Sequence, residues 1–205
     1  MSDLVRFTET MRGWLSDQTG VRHEDAERKG RADRTEAIVV LTVVTPDVDA
    51  MVADPNHRNR AWGVVLLPAL HPLPLSVEYG HFDLFVDAAP GVLHMRYALR
   101  LRAEDGQTWY LRGIKEALRR RFWLTFVADT TTLFTDVFRG DDDSGTPVLR
   151  GILRMGTVGV TMQGLSFRGA PAAIYRFMRF YVLSLVRTYL RARRALLRPT
   201  WDGVG

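Results

Sequence analysis

Cysteine is absent from all 205 residues. Disulfides, thiolate metal sites and a thiol nucleophile are excluded with it. Long apolar runs are missing as well. No stretch reaches the roughly 18 residues that mark a membrane-spanning helix. The start, Met1-Ser2-Asp3-Leu4, lacks a basic segment leading into an apolar one, so the chain reads as cytoplasmic. No phosphate loop, dinucleotide-binding glycine fingerprint, metal-ligand cluster or nucleophile elbow occurs. The expectation is a protein with no cofactor and no metal. Lysine is scarce, at Lys29 and Lys115 alone.

Charge is distributed unevenly. The formal net charge is +5, yet residues 1–167 carry 20 basic and 22 acidic groups. Residues 168–205 carry eight arginines and one acid, Asp202. The body offers no basic face, so nucleic-acid binding is not expected.

What the chain does have is period-two patterning. Leu93, Met95, Tyr97, Leu99 and Leu101 alternate with His94, Arg96, Ala98 and Arg100, as in a strand with one face in a core. Asp105-Gly106 supplies a tight turn, and the chain returns through Trp109, Leu111 and Gly113. Strands are predicted over 5–14, 37–44 (buried on both faces), 62–67, 75–86, 92–102, 107–116, 130–138, 147–155 and 158–167. Asp141-Asp142-Asp143-Ser144-Gly145 forms a hairpin turn. The segment 68–74 holds three prolines and reads as a rim loop. Polar residues 15–36 read as a mobile loop. Pro46-Asp47 opens a short helix near 47–59, capped by Asp47 or Thr45.

The fold class is therefore mainly β. It is an antiparallel barrel, lipocalin-like or related, of about 8–10 strands, occupying residues 1–168. Residues 169–205 add one long helix packed on the barrel, with Pro171 at its start and Pro199 beyond its end. At 100° per residue, Arg176, Arg187, Arg191, Arg194 and Arg198 share one stripe of that helix. Ile174, Met178, Tyr181, Val182, Leu185, Tyr189 and Leu196 lie opposite. Such a basic amphipathic helix packs on its own domain or meets an acidic protein or anionic membrane surface.

Several segments resemble the C-terminal β-rich accessory region of cholesterol-oxidase-like glucose–methanol–choline oxidoreductases. They are Phe7-Thr-Glu-Thr-Met-Arg-Gly13, Asp47-Val-Asp-Ala-Met-Val-Ala-Asp-Pro-Asn-His57, Gly80-His-Phe-Asp-Leu-Phe-Val86, Met95-Arg-Tyr97, Leu111-Arg-Gly-Ile-Lys115 and Asp129-Thr-Thr-Thr-Leu-Phe-Thr135. The resemblance implies a β-rich module associated with sterol-like or lipid-like chemistry. It does not imply oxidation, because the flavin-binding half has no counterpart in this chain. Residues 118–128 depart from the pattern, with Arg119, Arg120 and Arg121 before Phe122, Trp123 and Phe126.

Glu9 shares strand parity with Val5, Phe7 and Met11, which points it inward. A buried carboxylate needs a partner. Lys115, in parity with Trp109, Leu111 and Gly113, is the candidate. The pair is either structural or an acid/base couple. Phe7, Met11, Tyr79, His81, Tyr97, Trp109, Leu111 and Phe134 are the candidate pocket lining. His81 and Asp83 share a face, but no third ligand is visible, so a metal is not expected. His23 and His57 lie in polar surroundings and read as surface residues.

The leading functional expectation is binding of a large apolar polycyclic or polyene-like molecule, of sterol or polyketide class, in a barrel pocket. One alternative is a cofactor-independent cyclase or isomerase of specialised metabolism, working by substrate preorganisation. Another is a non-catalytic partner of a flavin oxidoreductase.

Overall fold

Period-two segments joined by short turns can pair with their sequence neighbours and close on themselves. The computed structural model, which describes residues 3–89, 92–118 and 131–196, has that architecture. Its strands are β1 (Val5–Ser16), β2 (Glu36–Thr45), β3 (Arg58–Leu66), β4 (Leu75–Ala89), β5 (Val92–Arg102), β6 (Thr108–Leu118), β7 (Thr132–Arg139), β8 (Pro147–Arg154) and the two-residue β9 (Arg168–Gly169). Every sequential pair from β1 to β8 is antiparallel, and β8 pairs back with β1. Eight strands thus close a barrel, which removes sheet edges over most of the circumference. The helices are α1 (His23–Asp33), α2 (Val48–Ala53), α3 (Thr157–Ser166) and α4 (Pro171–Leu196). Among the described residues, no helix is long and apolar enough to cross a membrane.

Inward positions follow the alternation closely. Val5, Phe7, Glu9, Met11 and Leu15 of β1 are buried, as are Met95, Tyr97, Leu99 and Leu101 of β5. In β2 the odd residues Ala37 to Val43 are buried. Ile38, Val40 and Thr42 are only half-buried on the outer face, so β2 is not buried on both faces.

The closing seam is tight. Gly13 on β1 faces Leu153 on β8, and a Cβ at Gly13 would stand 1.9 Å from the Ile152 carbonyl oxygen. Backbone cannot yield as a side chain does. Gly13→Ala should therefore destabilise the barrel by about 3 kcal/mol or more. Gly20→Ala, with open space around it, should be nearly neutral. Urea unfolding of the two variants checks the contrast.

Two expectations about local structure are corrected. Residues 15–36 are not a loop: β1 runs to Ser16, α1 fills His23–Asp33, and β2 starts at Glu36. The helix carries little apolar surface, so hydrophobic periodicity cannot reveal it. It lies against β1 through Ala26 and Gly30, where a Cβ on Gly30 would meet the Leu15 carbonyl oxygen at 2.4 Å. Ionic contacts add to this, Glu27 receiving hydrogen bonds from Arg154 of β8 and His23 meeting Asp136 of β7. Local pairs were the available signal, since Lys29 bonds Asp33 one turn on.

Residues 158–167 are likewise not a strand: 158–166 belong to helix α3, and Phe167 is its C-cap. The reason is length. Arg154 pairs with Arg12, and Arg168 pairs with Arg6. Six residues of β1 span about 20 Å, whereas fourteen extended residues would span roughly 46 Å. A ten-residue helix spans about 15 Å and fits. α3 covers the part of β1 that β8 does not reach, and the Ser166 hydroxyl accepts a hydrogen bond from the Thr8 amide at 2.8 Å.

The short helix α2 is capped by Asp47, whose carboxylate accepts from the Ala50 amide at 2.9 Å. It ends at Ala53 rather than near 59, because β3 already begins at Arg58.

Candidate functional site

β1 and β5 stand four strands apart around the eight-stranded barrel, so their inward side chains face each other across the lumen. Glu9 on β1 reaches Lys115 on β6, with Nζ 3.6 Å from Glu9 Oε2. Lys115 also donates to the Tyr97 hydroxyl of β5 at 2.8 Å. All three side chains are almost wholly buried. Gln163 of α3 reaches in from above, its Nε2 3.5 Å from Glu9 Oε2. Glu9 Oε1 is buried and has no hydrogen-bond partner among the described residues.

These polar groups form a floor. Below it the lumen is filled by Met11, Leu15, Leu99, Leu101, Trp109 and Leu111, all buried. Above it lies a cavity of about 270 Å³. Phe7, Phe82, Leu84, Met95, Met155, Phe167, Phe177 and Tyr181 wall it. The Phe7 and Phe167 rings stack at 4.8 Å, with Phe177 tilted against both. Val160 of α3 and Met178 of α4 line the cavity and are also 38% and 39% exposed. They mark an apolar rim between the two helices.

Burial dominates the electrostatics of the floor. It lifts the Tyr97 phenol well above its ordinary value, and the nearby Glu9 charge adds to the effect. The same two causes push Tyr181 up to about 12. Burial pulls the Lys115 ammonium down, while Glu9 works against that fall. Both tyrosines are therefore neutral hydrogen-bonding groups at neutral pH.

Of the residues singled out by sequence, Phe7, Glu9, Tyr97 and Lys115 meet at this cavity. Met11, Trp109 and Leu111 point inward but sit in the packed half below the floor. Tyr79, His81 and Phe134 are on the outside of the barrel, which corrects their assignment to the pocket. Tyr79 is 64% exposed. The pairing of β4 with β5 shifts between Val77 and Tyr79. One extra residue there reverses the side-chain parity, so Phe82 and Leu84 turn inward and His81 turns out. Asp83 receives two bonds from Arg58, at 2.8 and 3.1 Å, and forms no metal site with His81. No group of metal-ligating side chains occurs among the described residues. On β7, Leu133 and Thr135 point inward and Phe134 packs outside against the His23 ring at 5.5 Å.

A second shift in β4, between Asp83 and Val86, gives Phe85 a φ of 56°. The bulge aims that ring at α4, 5.0 Å from Tyr181 and 6.5 Å from Phe180. His57 is also part of this contact, 4.7 Å from Phe180, and His23 bonds Asp136. Neither histidine is a free surface residue.

α4 docks through Ala173, Phe177 and Leu185, with Ile174 and Tyr181 packed against the core, so the buried face keeps Ile174, Tyr181 and Leu185 of the apolar side of the wheel and is shifted toward Ala173 and Phe177. Met178 and Val182 are exposed in consequence. The aromatic contacts of Phe177 and Phe180 decide the shift, since they fill the barrel end. Arg176 is partly exposed but paired within the fold, since it bonds Asp3 and lies 3.6 Å from Asp49. The side chains of Arg187, Arg191 and Arg194, together with Arg198 and residues 119–130, lie outside the described residues.

Met95 could have been found by its parity with Tyr97. Phe82 and Leu84 were hidden by the bulge, and Val160, Gln163 and Phe167 by the strand assignment. No family model, curated protein or solved structure matches the chain.

Proposed function

We propose that the protein binds an apolar small molecule in the upper half of its barrel. The observation that carries this reading is the cavity itself: aromatic and aliphatic walls over a small polar floor, reached through an apolar rim. Such a site removes apolar surface from water while a few polar groups set orientation. Its 270 Å³ lies just below the roughly 300–1,000 Å³ of typical ligand pockets. A ligand of sterol or polyketide class therefore enters with one ring or one chain end, and its remainder lies at the rim.

A second reading is favoured by the bare Glu9 Oε1 beside Lys115. A carboxylate oxygen with no partner, in an apolar cavity, is placed to take a proton from a bound substrate. A cofactor-independent isomerase or cyclase would need little more than this and a shaped wall.

Binding is tested with N-phenyl-1-naphthylamine, a dye that brightens in apolar surroundings. Wild-type protein should bind it saturably at one site per chain. Met155→Trp fills the cavity from its wall and should weaken binding about tenfold or more, with the far-ultraviolet spectrum unchanged. A variant that folds and binds equally well would overturn the reading.

A further inference from the structure

The floor of the cavity has an uneven hydrogen-bond account. Lys115 has three donors. One goes to the Tyr97 hydroxyl, and another faces Glu9 Oε2 at 3.6 Å. Glu9 Oε2 is also approached by Gln163 Nε2 at 3.5 Å. Glu9 Oε1 receives nothing, although the residue is only 2% exposed and lines the cavity. An ionised carboxylate can only accept. The Tyr97 hydroxyl also lies beside the Glu9 carboxylate, yet Oε1 has no partner among the described residues, so this oxygen is free to accept from one further donor.

Charge narrows the choice of donor. Among the described residues, Glu9 and Lys115 are the two charged groups lining the cavity, and they neutralise each other. A ligand carboxylate would bring an uncompensated negative charge against Glu9 and between apolar walls. A ligand ammonium would do the same against Lys115. Unpaired charge in such surroundings is strongly disfavoured. A hydroxyl supplies the proton without adding charge. We infer that the cavity selects apolar molecules ending in a neutral hydroxyl donor, an alcohol, phenol or enol, with that hydroxyl on Glu9 Oε1. Carboxylate-ended lipids such as fatty acids are rejected. This inference rests on the binding function proposed above and specifies its ligand.

The discrimination is chemical and not only electrostatic. A site built around one hydrogen bond penalises an isostere that lacks it, because its own buried group stays unpaired. A methyl ether of equal length keeps the apolar surface and loses only the donor.

The test displaces N-phenyl-1-naphthylamine from the wild-type protein with 1-decanol, methyl nonyl ether and decanoate at neutral pH. Decanol should compete at least about tenfold more tightly than either of the others. Glu9→Gln removes the carboxylate and leaves the Lys115 charge uncompensated. In that variant decanoate should gain and the advantage of decanol should disappear. The wild-type comparison stands by itself if Glu9→Gln fails to fold. Equal competition by decanol and the ether, or tighter competition by decanoate, overturns the inference and leaves the pocket in place. If none of the three displaces the dye and Met155→Trp binds it normally, the binding function itself falls.

Discussion

Replacing Glu9 or Lys115 alone with an apolar residue of similar size should cost the barrel about 3–5 kcal/mol. The pair crosses the lumen at 3.6 Å, and both side chains are buried. Removing one member strands the other charge among Phe7, Met95 and Phe82. Glu9→Leu leaves an ammonium whose remaining partner is the Tyr97 hydroxyl. Lys115→Met leaves a carboxylate with only neutral groups beside it, the Gln163 amide at 3.5 Å and the Tyr97 hydroxyl. The double variant Glu9→Leu/Lys115→Met carries no buried charge and should regain most of the loss. Urea unfolding at pH 7 measures all three. Single variants within about 0.5 kcal/mol of wild type, the range of ordinary surface positions, would mean that the charges do not meet in the lumen. If the pair serves ligand selection, the double variant will be stable yet will no longer prefer decanol to its methyl ether.

The second large effect is expected on the outside of the barrel. Asp136 of β7 is nearly buried and accepts bonds from Arg150 at 2.7 Å and Arg112 at 3.1 Å, with His23 of α1 at 3.3 Å. Burial alone would raise its carboxyl. The bonds from His23, Arg150 and Arg112 outweigh that and hold it far below the ordinary aspartate range. A carboxyl depressed by folding stabilises the native state above its unfolded value, near pH 3.9. That contribution fades as pH falls below it toward the folded value. Asp136→Asn should therefore cost about 2–3 kcal/mol at pH 7, less than a fully buried pair because the Arg112 head is 40% exposed. The gap between variant and wild type should stay constant from pH 7 to about pH 5 and narrow below about pH 4. Denaturant midpoints measured from pH 7 to pH 2 check this. A gap that stays the same at pH 2 would show that the carboxylate charge is not the source. Loss of α1 contacts should accompany the substitution, because His23 opens that helix.

The sequence was legible where period-two order ran unbroken. In β1, β5 and β6 the alternation placed Phe7, Glu9, Tyr97 and Lys115 inward, and these residues do meet at the cavity. It was illegible wherever one residue was inserted. The β4 bulge near Glu78 reverses the side chains from Tyr79 to Leu84, so Tyr79 and His81 read as lining and Phe82 and Leu84 did not. A bulge is a property of two paired strands, and neither strand alone announces it.

The chain by itself determined the class of fold, its inward charges and its capped α2. These follow from neighbours in sequence: alternation, a turn at Asp105-Gly106, and an aspartate three residues before the amide it caps. Tertiary structure alone decided that 158–166 is helical, because the distance along β1 accommodates a helix and not a strand. It also decided which face of α4 is buried, since Phe85, Phe167 and His57 supply the rings that Phe177 and Phe180 pack against. The division of the lumen into a filled half and an open half is of the same kind. It depends on which side chains arrive at one level from strands on opposite sides of the barrel, and no local pattern records that meeting.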